Sequence, residues 1–268
     1  MANFINYRNI DFKLDGGNFY AKQINLSAQA SVEPVLLSDG TLLNYAPQSA
    51  IIGSLNCEFY LTGALPSFLR ITGSDESAIT ANFAGVAITG VYPKSISFSV
   101  ESFQPITISA QFDWYGNVQV EDFSEQLRQR ALKPIPEYIA SAYKSYLDTD
   151  NIFGDNGDKF GNLISFSCDF NCDRLPFYHV DELIPFRVAK SNKRCEIKLS
   201  SNNLGQLISV DGKSVSTQLY IKDFYGTLLD SFPVSGVLTN QNYNVSEGQY
   251  MLTDATVEQI ITESKVLV

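Results

Sequence analysis

Apolar and polar residues alternate one for one along much of this chain, the pattern of strands with one buried and one wet face. Residues 10–14 and 24–30 show it first; after a turn at Asp39-Gly40 it resumes at 41–45, and after a break at Pro47 to Ser49 it continues over 52–61. Further strands are predicted at 84–91, 95–100, 106–114 and from Leu163 to the C-terminal end. The stretch 106–114 is the clearest. There Ile106, Ile108, Ala110, Phe112 and Trp114 share one face, and Thr107, Ser109, Gln111 and Asp113 share the other.

In the middle of the chain the period changes. Ile135, Tyr138, Ile139, Ala142, Tyr143, Tyr146 and Leu147 fall at helical spacing, which predicts an amphipathic helix over 134–148, opened by Pro134 and Pro136. A shorter helix is expected over 124–130. The chain thus reads as mainly β, with one β unit at 1–120, a helical connector and loop at 121–160, and a second β unit at 161–268.

The two β units resemble each other. "NCEFYL" at 56–61 matches "RCEIKL" at 194–199, and the segment from Ile24 lies over that from Ile164 with Pro34 over Pro176, Asp39 over Asp181 and Leu42 over Ile184. "GVAITGVY" from Gly85 resembles "SGVLTNQNY" from Ser235, and "TISAQF" from Thr107 resembles "TVEQII" from Thr256. Matches in one order along the chain predict an internal duplication, with loop-length changes between copies.

Composition narrows the function more than it names it. A formal net charge of −10 sets the molecule against nucleic-acid phosphates. The one basic cluster, 190–194, reads as a wet strand end or a subunit contact. The start of the chain lacks the order of a secretory signal, and no run is long and apolar enough for a membrane helix. Synthesis and first folding are therefore expected in the cytosol. Cys57, Cys168, Cys172 and Cys195 are expected as reduced, buried thiols, since the close Cys-x-x-Cys pairs of a zinc site are missing. His179, the single histidine, lies beside Asp181 and Glu182 but has no nucleophile motif to serve, and is expected to be structural. The run "GDNGDKFGN" from Gly154 lacks the ligand spacing of a calcium loop and reads as a tight turn. "LDGGNFY" from Leu14 lacks a phosphate-loop frame. No catalytic, cofactor-binding or metal-ligating residue is expected.

The segment "SVEPVLLSDGTLLNYAPQSAIIGSLNCEFYLTG" (31–63), with "AITANFAGVAITGVYPKSISFSVESFQPITISAQFDW" (78–114) and "VSEGQYMLTDATVEQI" (245–260), resembles virion structural proteins of bacteriophages with contractile tails. The resemblance implies a tail-tube-like fold, a β-sandwich or barrel with a helix on its flank. It also implies assembly into threefold or sixfold rings that line a DNA channel. Two units in one chain are similar to baseplate hub proteins, in which three chains make a pseudo-sixfold ring; a tube subunit or tube initiator is the other form implied. Partners would be copies of this chain and other tail tube, sheath or baseplate proteins. DNA would be passing cargo without specific binding, no membrane would be involved, and the place would be the phage tail, assembled in the host cytoplasm. The face bearing Thr107, Ser109, Gln111 and Asp113 is the candidate lumen wall, because its reverse is apolar enough to form the core. The alternative is a carbohydrate- or receptor-binding β-sandwich module, which would need exposed aromatic platforms. Trp114, on the apolar face, is expected in the core instead. A tail or cell-wall hydrolase lacks its acid/base pair.

Overall fold

The computed structural model describes residues 11–29, 32–47, 52–61, 78–101, 104–120, 146–148, 152–153, 158–159, 163–180, 182–201, 214–222, 227–247 and 252–259. The chain is mainly β, and no helix occurs among these residues. β1 (Asp11–Leu14) and β2 (Gly17–Gln29) form a hairpin through Asp15-Gly16, both at positive φ (48° and 79°). That turn geometry matches the twist of paired strands and is cheapest for Gly, Asn and Asp. β3 (Val32–Leu36) and β4 (Leu42–Pro47) make a separate hairpin before β5 (Ile52–Tyr60). β6 (Ile79–Phe83) passes through Ala84-Gly85 into β7 (Val86–Glu101), followed by β8 (Thr107–Trp114) and β9 (Val118–Val120).

Six of these strands close on themselves in the order β1-β2-β5-β8-β7-β6, with β6 returning to β1 and every neighbour antiparallel. Closure abolishes the sheet edge, and alternation turns one side chain in two inward. The interior is filled. Phe12, Leu14, Leu55, Phe59, Ile88, Ile108 and Phe112 are at most 1% exposed, and the Phe59 ring lies 5.0 Å from Phe19 and 5.9 Å from Phe12.

The rest of the chain adds β10 (Tyr146–Asp148), a small hairpin of β11 (Ile152–Phe153) and β12 (Asp158–Lys159), then β13 (Leu163–Phe177), β14 (Arg187–Ser201), β15 (Ser214–Lys222), β16 (Leu228–Asn244) and β17 (Leu252–Gln259). These, apart from β11 and β12, pair in the order β10-β15-β16-β17-β14-β13, again antiparallel, and β10 returns to lie beside β13 without a ladder. β7 joins the two assemblies. Its outer edge bonds β6 at one end and, from Ser95↔Asn171 to Glu101↔Ser165, β13 at the other.

Two expectations change. The strands read at 84–91 and 95–100 are one strand, because Pro93 sits at a bulge rather than a break. A bulge tolerates a residue without an N–H, and here the freed Pro93 carbonyl accepts Arg174 Nε at 2.7 Å and faces Cys172 Sγ at 3.4 Å. The last three residues of the predicted helix 134–148 are β10, held by the edge of β15 through Tyr146↔Lys222 to Asp148↔Tyr220. Three residues of helical spacing yield to a ladder that satisfies their backbone. Residues 124–130 and 134–145, and the turn 154–157, lie outside the described residues.

Candidate functional site

Residues paired across an antiparallel ladder point to the same side of the sheet. Starting from Ser109, the ladders run to Glu58 on one side, and on the other to Ser97, Asp169, Glu196 and Glu258 in turn. From Thr107 they run to Tyr60, and through Ser99, Ser167 and Lys198 to Thr256. The alternation is thus in phase across eight consecutive strands, β2-β5-β8-β7-β13-β14-β17-β16. The neighbouring row Phe59, Ile108, Phe98, Cys168, Ile197 and Val257 points the other way and is buried throughout. One face of this wide sheet is polar and the reverse is core. At the junction of the two assemblies Ser97 Oγ donates to Asp169 Oδ1 at 2.7 Å.

Of the four residues singled out on β8, Ser109 is exposed and Thr107 and Gln111 are half-buried on this face. Asp113 is on the same side of the strand but only 8% exposed. Lys94, displaced by the bulge, reaches its Oδ1 at 3.1 Å, and Tyr115 OH donates to Oδ2 at 3.4 Å. Burial, and then the Asp113 charge, push the Tyr115 phenol upward from its ordinary range. Asp113 is therefore a buttress at the end of the strand and not part of the presented surface.

The cations on the polar face are met by carboxylates. Lys22 pairs with Glu58, Arg194 lies 3.2 Å from Glu196 and 3.4 Å from Glu258, and Lys198 lies 3.1 Å from Glu196 and 3.8 Å from Asp169. The bond to Glu58 raises the Lys22 ammonium above its usual range, and that to Glu196 does the same for Lys198. Exposed pairs of this kind contribute about 0–1 kcal/mol each. What they change is the field: the positive charge of the face is neutralised locally.

The second-half residues of this face were not singled out from the sequence, although the signal was there. "SISFSVE" at 95–101 and "SFSCDFN" at 165–171 carry the same small-polar alternation and are ladder partners. The cysteines and Trp114 lie in the core, and His179 lies in the connection after β13. All four cysteines are buried and free; Cys168 and Cys195 sit Sγ to Sγ at 3.7 Å, and burial pushes the Cys57 thiol up to about 12. His179 is exposed and stacks on Phe186 with ring centroids 4.0 Å apart. Trp114 is 4% exposed and donates Nε1–H to Thr89 O at 2.9 Å. Among the described residues no group of three or more His, Cys, Asp or Glu could hold a metal ion. No protein-family model matches this chain, and no curated protein matches it.

Proposed function

We propose that this chain is a structural protein of a contractile phage tail. In this reading it assembles into a threefold or sixfold ring that forms the tail tube or its baseplate end, as tube, initiator or hub. The polar face across eight strands lines the passage for DNA. That face carries the proposal: it is broad, rich in Ser, Thr and Asn, and its cations are paired, so it offers sliding phosphates few charges to grip. A wide sheet wet on one side and apolar on the other suits a wall better than a pocket. Copies of the chain and other tube, sheath or baseplate proteins would be the partners, and the tail, assembled in the host cytoplasm, the location.

Duplication belongs to the same proposal. The orders β1-β2-β5-β8-β7-β6 and β10-β13-β14-β17-β16-β15 correspond strand for strand in chain position. "NCEFYL" and "RCEIKL" fall on β5 and β14, with Cys57 and Cys195 both buried. The β8 and β17 matches keep that register, since Tyr60 pairs with Thr107 and Lys198 with Thr256. The match from Ile24 does not keep it, because Cys57 pairs with Ile24 but Cys195 with Phe170; nor does that from Gly85, which leads β7 while Gly236 lies well inside β16. Two repeats per chain let three chains present six similar walls. With Trp114 in the core, the sugar-binding alternative would rest on exposed tyrosines such as Tyr45 and Tyr243. Electron microscopy of the purified protein tests the proposal: rings or short tubes are expected, and a monomer with a sugar-dependent rise in melting temperature would replace it.

A further inference from the structure

We infer that the fork where β7 and β13 part is a binding site for one carboxylate group, with Arg174 and Tyr178 as its donors. The inference stands apart from the ring reading above. The two strands are paired from Ser165↔Glu101 to Asn171↔Ser95; beyond that, β7 turns through the Pro93 bulge into the barrel while β13 runs on along β14. Arg174 lies just past the fork, in the alternating series of β13 that buries Phe166, Cys168, Phe170 and Cys172. It is 8% exposed, its Nε donates to Pro93 O at 2.7 Å, and its guanidinium carbon lies 5.8 Å from the centre of the Tyr92 ring. Arg174 Nη1 and the hydroxyl of Tyr178 are both closed off from solvent, and neither has a hydrogen-bond partner among the described residues. The charges of both residues act on Tyr115, which places them about one point.

Asp113 is the carboxylate whose charge reaches Arg174, but its oxygens are engaged elsewhere, Oδ1 by Lys94 at 3.1 Å and Oδ2 by Tyr115 OH at 3.4 Å. Burial draws the Arg174 guanidinium down from its ordinary range, yet a guanidinium keeps its proton, so the buried charge needs an anion to accept its free N–H. Around Cys172 the fork gathers Arg174, Lys190 and, through Asp113, Lys94 against the carboxylates of Asp113 and Asp173, which leaves one positive charge in excess. A monovalent carboxylate balances that excess, whereas a phosphate dianion would reverse it. Water could accept both bonds but would leave the charge uncompensated. A carboxylate accepts from Arg174 Nη1 and Tyr178 OH together, in the short charge-assisted bonds that guanidinium and carboxylate form. Tyr92, Lys94, Tyr178 and Lys190 are only half-buried, so the ligand arrives from the rim without crossing the core. A small free acid and an aspartate or glutamate of a second copy of the chain present the same two oxygens.

Melting in sodium acetate, against sodium chloride at equal ionic strength, tests the site. Acetate should raise the melting temperature of the parent saturably, by about 3 °C once it exceeds its dissociation constant tenfold, and chloride should not. Tyr178→Phe, which removes only the hydroxyl, should bind acetate about tenfold more weakly, and Arg174→Gln should lose the response. Should Arg174→Gln fail to fold, the Tyr178→Phe titration decides alone. A higher melting temperature with unchanged sedimentation assigns the site to a free acid, and dissociation of assembled copies by acetate but not by chloride assigns it to a neighbour's side chain. No effect of acetate beyond that of chloride in either measurement, a Tyr178→Phe response equal to the parent's, or a single water at Arg174 Nη1 in a crystal grown from acetate overturns the inference.

Discussion

Gly53→Ala probes the closure of the barrel at its tightest point. Gly53 on β5 is the ladder partner of Trp114 on β8, and a Cβ added there would lie 2.0 Å from Trp114 Cε3 and 2.8 Å from Ser27 O. Carbon atoms pack at about 3.5–4.0 Å, so the indole must retreat by roughly 1.5 Å or the strand must bow. Retreat is resisted. The ring is 4% exposed and tethered through Nε1 to Thr89 O, and Thr89 O itself lies 2.0 Å from where a Cβ on Gly116 would be. Overpacking of this kind costs about 1–3 kcal/mol, and a lost hydrogen bond adds about 0.5–1.5, giving about 2–4 kcal/mol in all. For a chain of this size that is roughly 5–15 °C in melting temperature. Trp114 is the single tryptophan, so its fluorescence follows unfolding at the perturbed site. In a Trp114→Phe background the smaller ring leaves room, and Gly53→Ala should cost at least about 1 kcal/mol less in a double-mutant cycle. A melting temperature within a degree of the parent, or an equal cost in both backgrounds, would refute the packing and return Trp114 to the surface.

Phe59→Ala, which empties the space between Phe12 and Phe19, should lower stability by about 3–5 kcal/mol in urea titration, with the midpoint moving and the slope unchanged. Burial raises the Cys57 thiol from 9.0 to about 12, so an unfolded chain releases that proton first; stability, full below pH 9, should fall as pH rises toward 12, and Cys57→Ala should flatten the decline. The same burial should keep native Cys57 unreactive to a maleimide at pH 8, with labelling only after denaturation. Ser109→Lys/Gln111→Lys should leave the melting temperature within a few degrees of the parent but slow DNA passage through assembled particles, each lysine adding about one phosphate contact; normal ejection would remove β8 from the lumen.

The β8 faces were legible because alternation alone decides which side a strand residue takes, and every apolar residue of that face is buried as read. Asp113 was not, because its fate depends on Lys94, brought close by a bulge on a neighbouring strand. Tyr146 and Leu147 suited a helical stripe as well as a strand, and only the presence of β15 beside them decides. β6 was missed because it is short, although ITANF alternates apolar and polar residues and the Ala84-Gly85 turn follows it. The joining of β7 to β13 leaves no local mark either, since it is chosen by which edges the barrel has already used.

That last point ties the fold to the proposed assembly. A strand has two edges, and each stretch of an edge can pair once. In the first assembly β1 bonds both β2 and β6 and closes the ring of strands, whereas in the second β10 bonds β15 and only lies beside β13. Among the described residues that seam carries no ladder, and the β13 edge bonds β7. Had β10 closed on β13 as β1 closes on β2, the chain would hold two sealed barrels without a common wall, and the polar face would stop at the boundary between them.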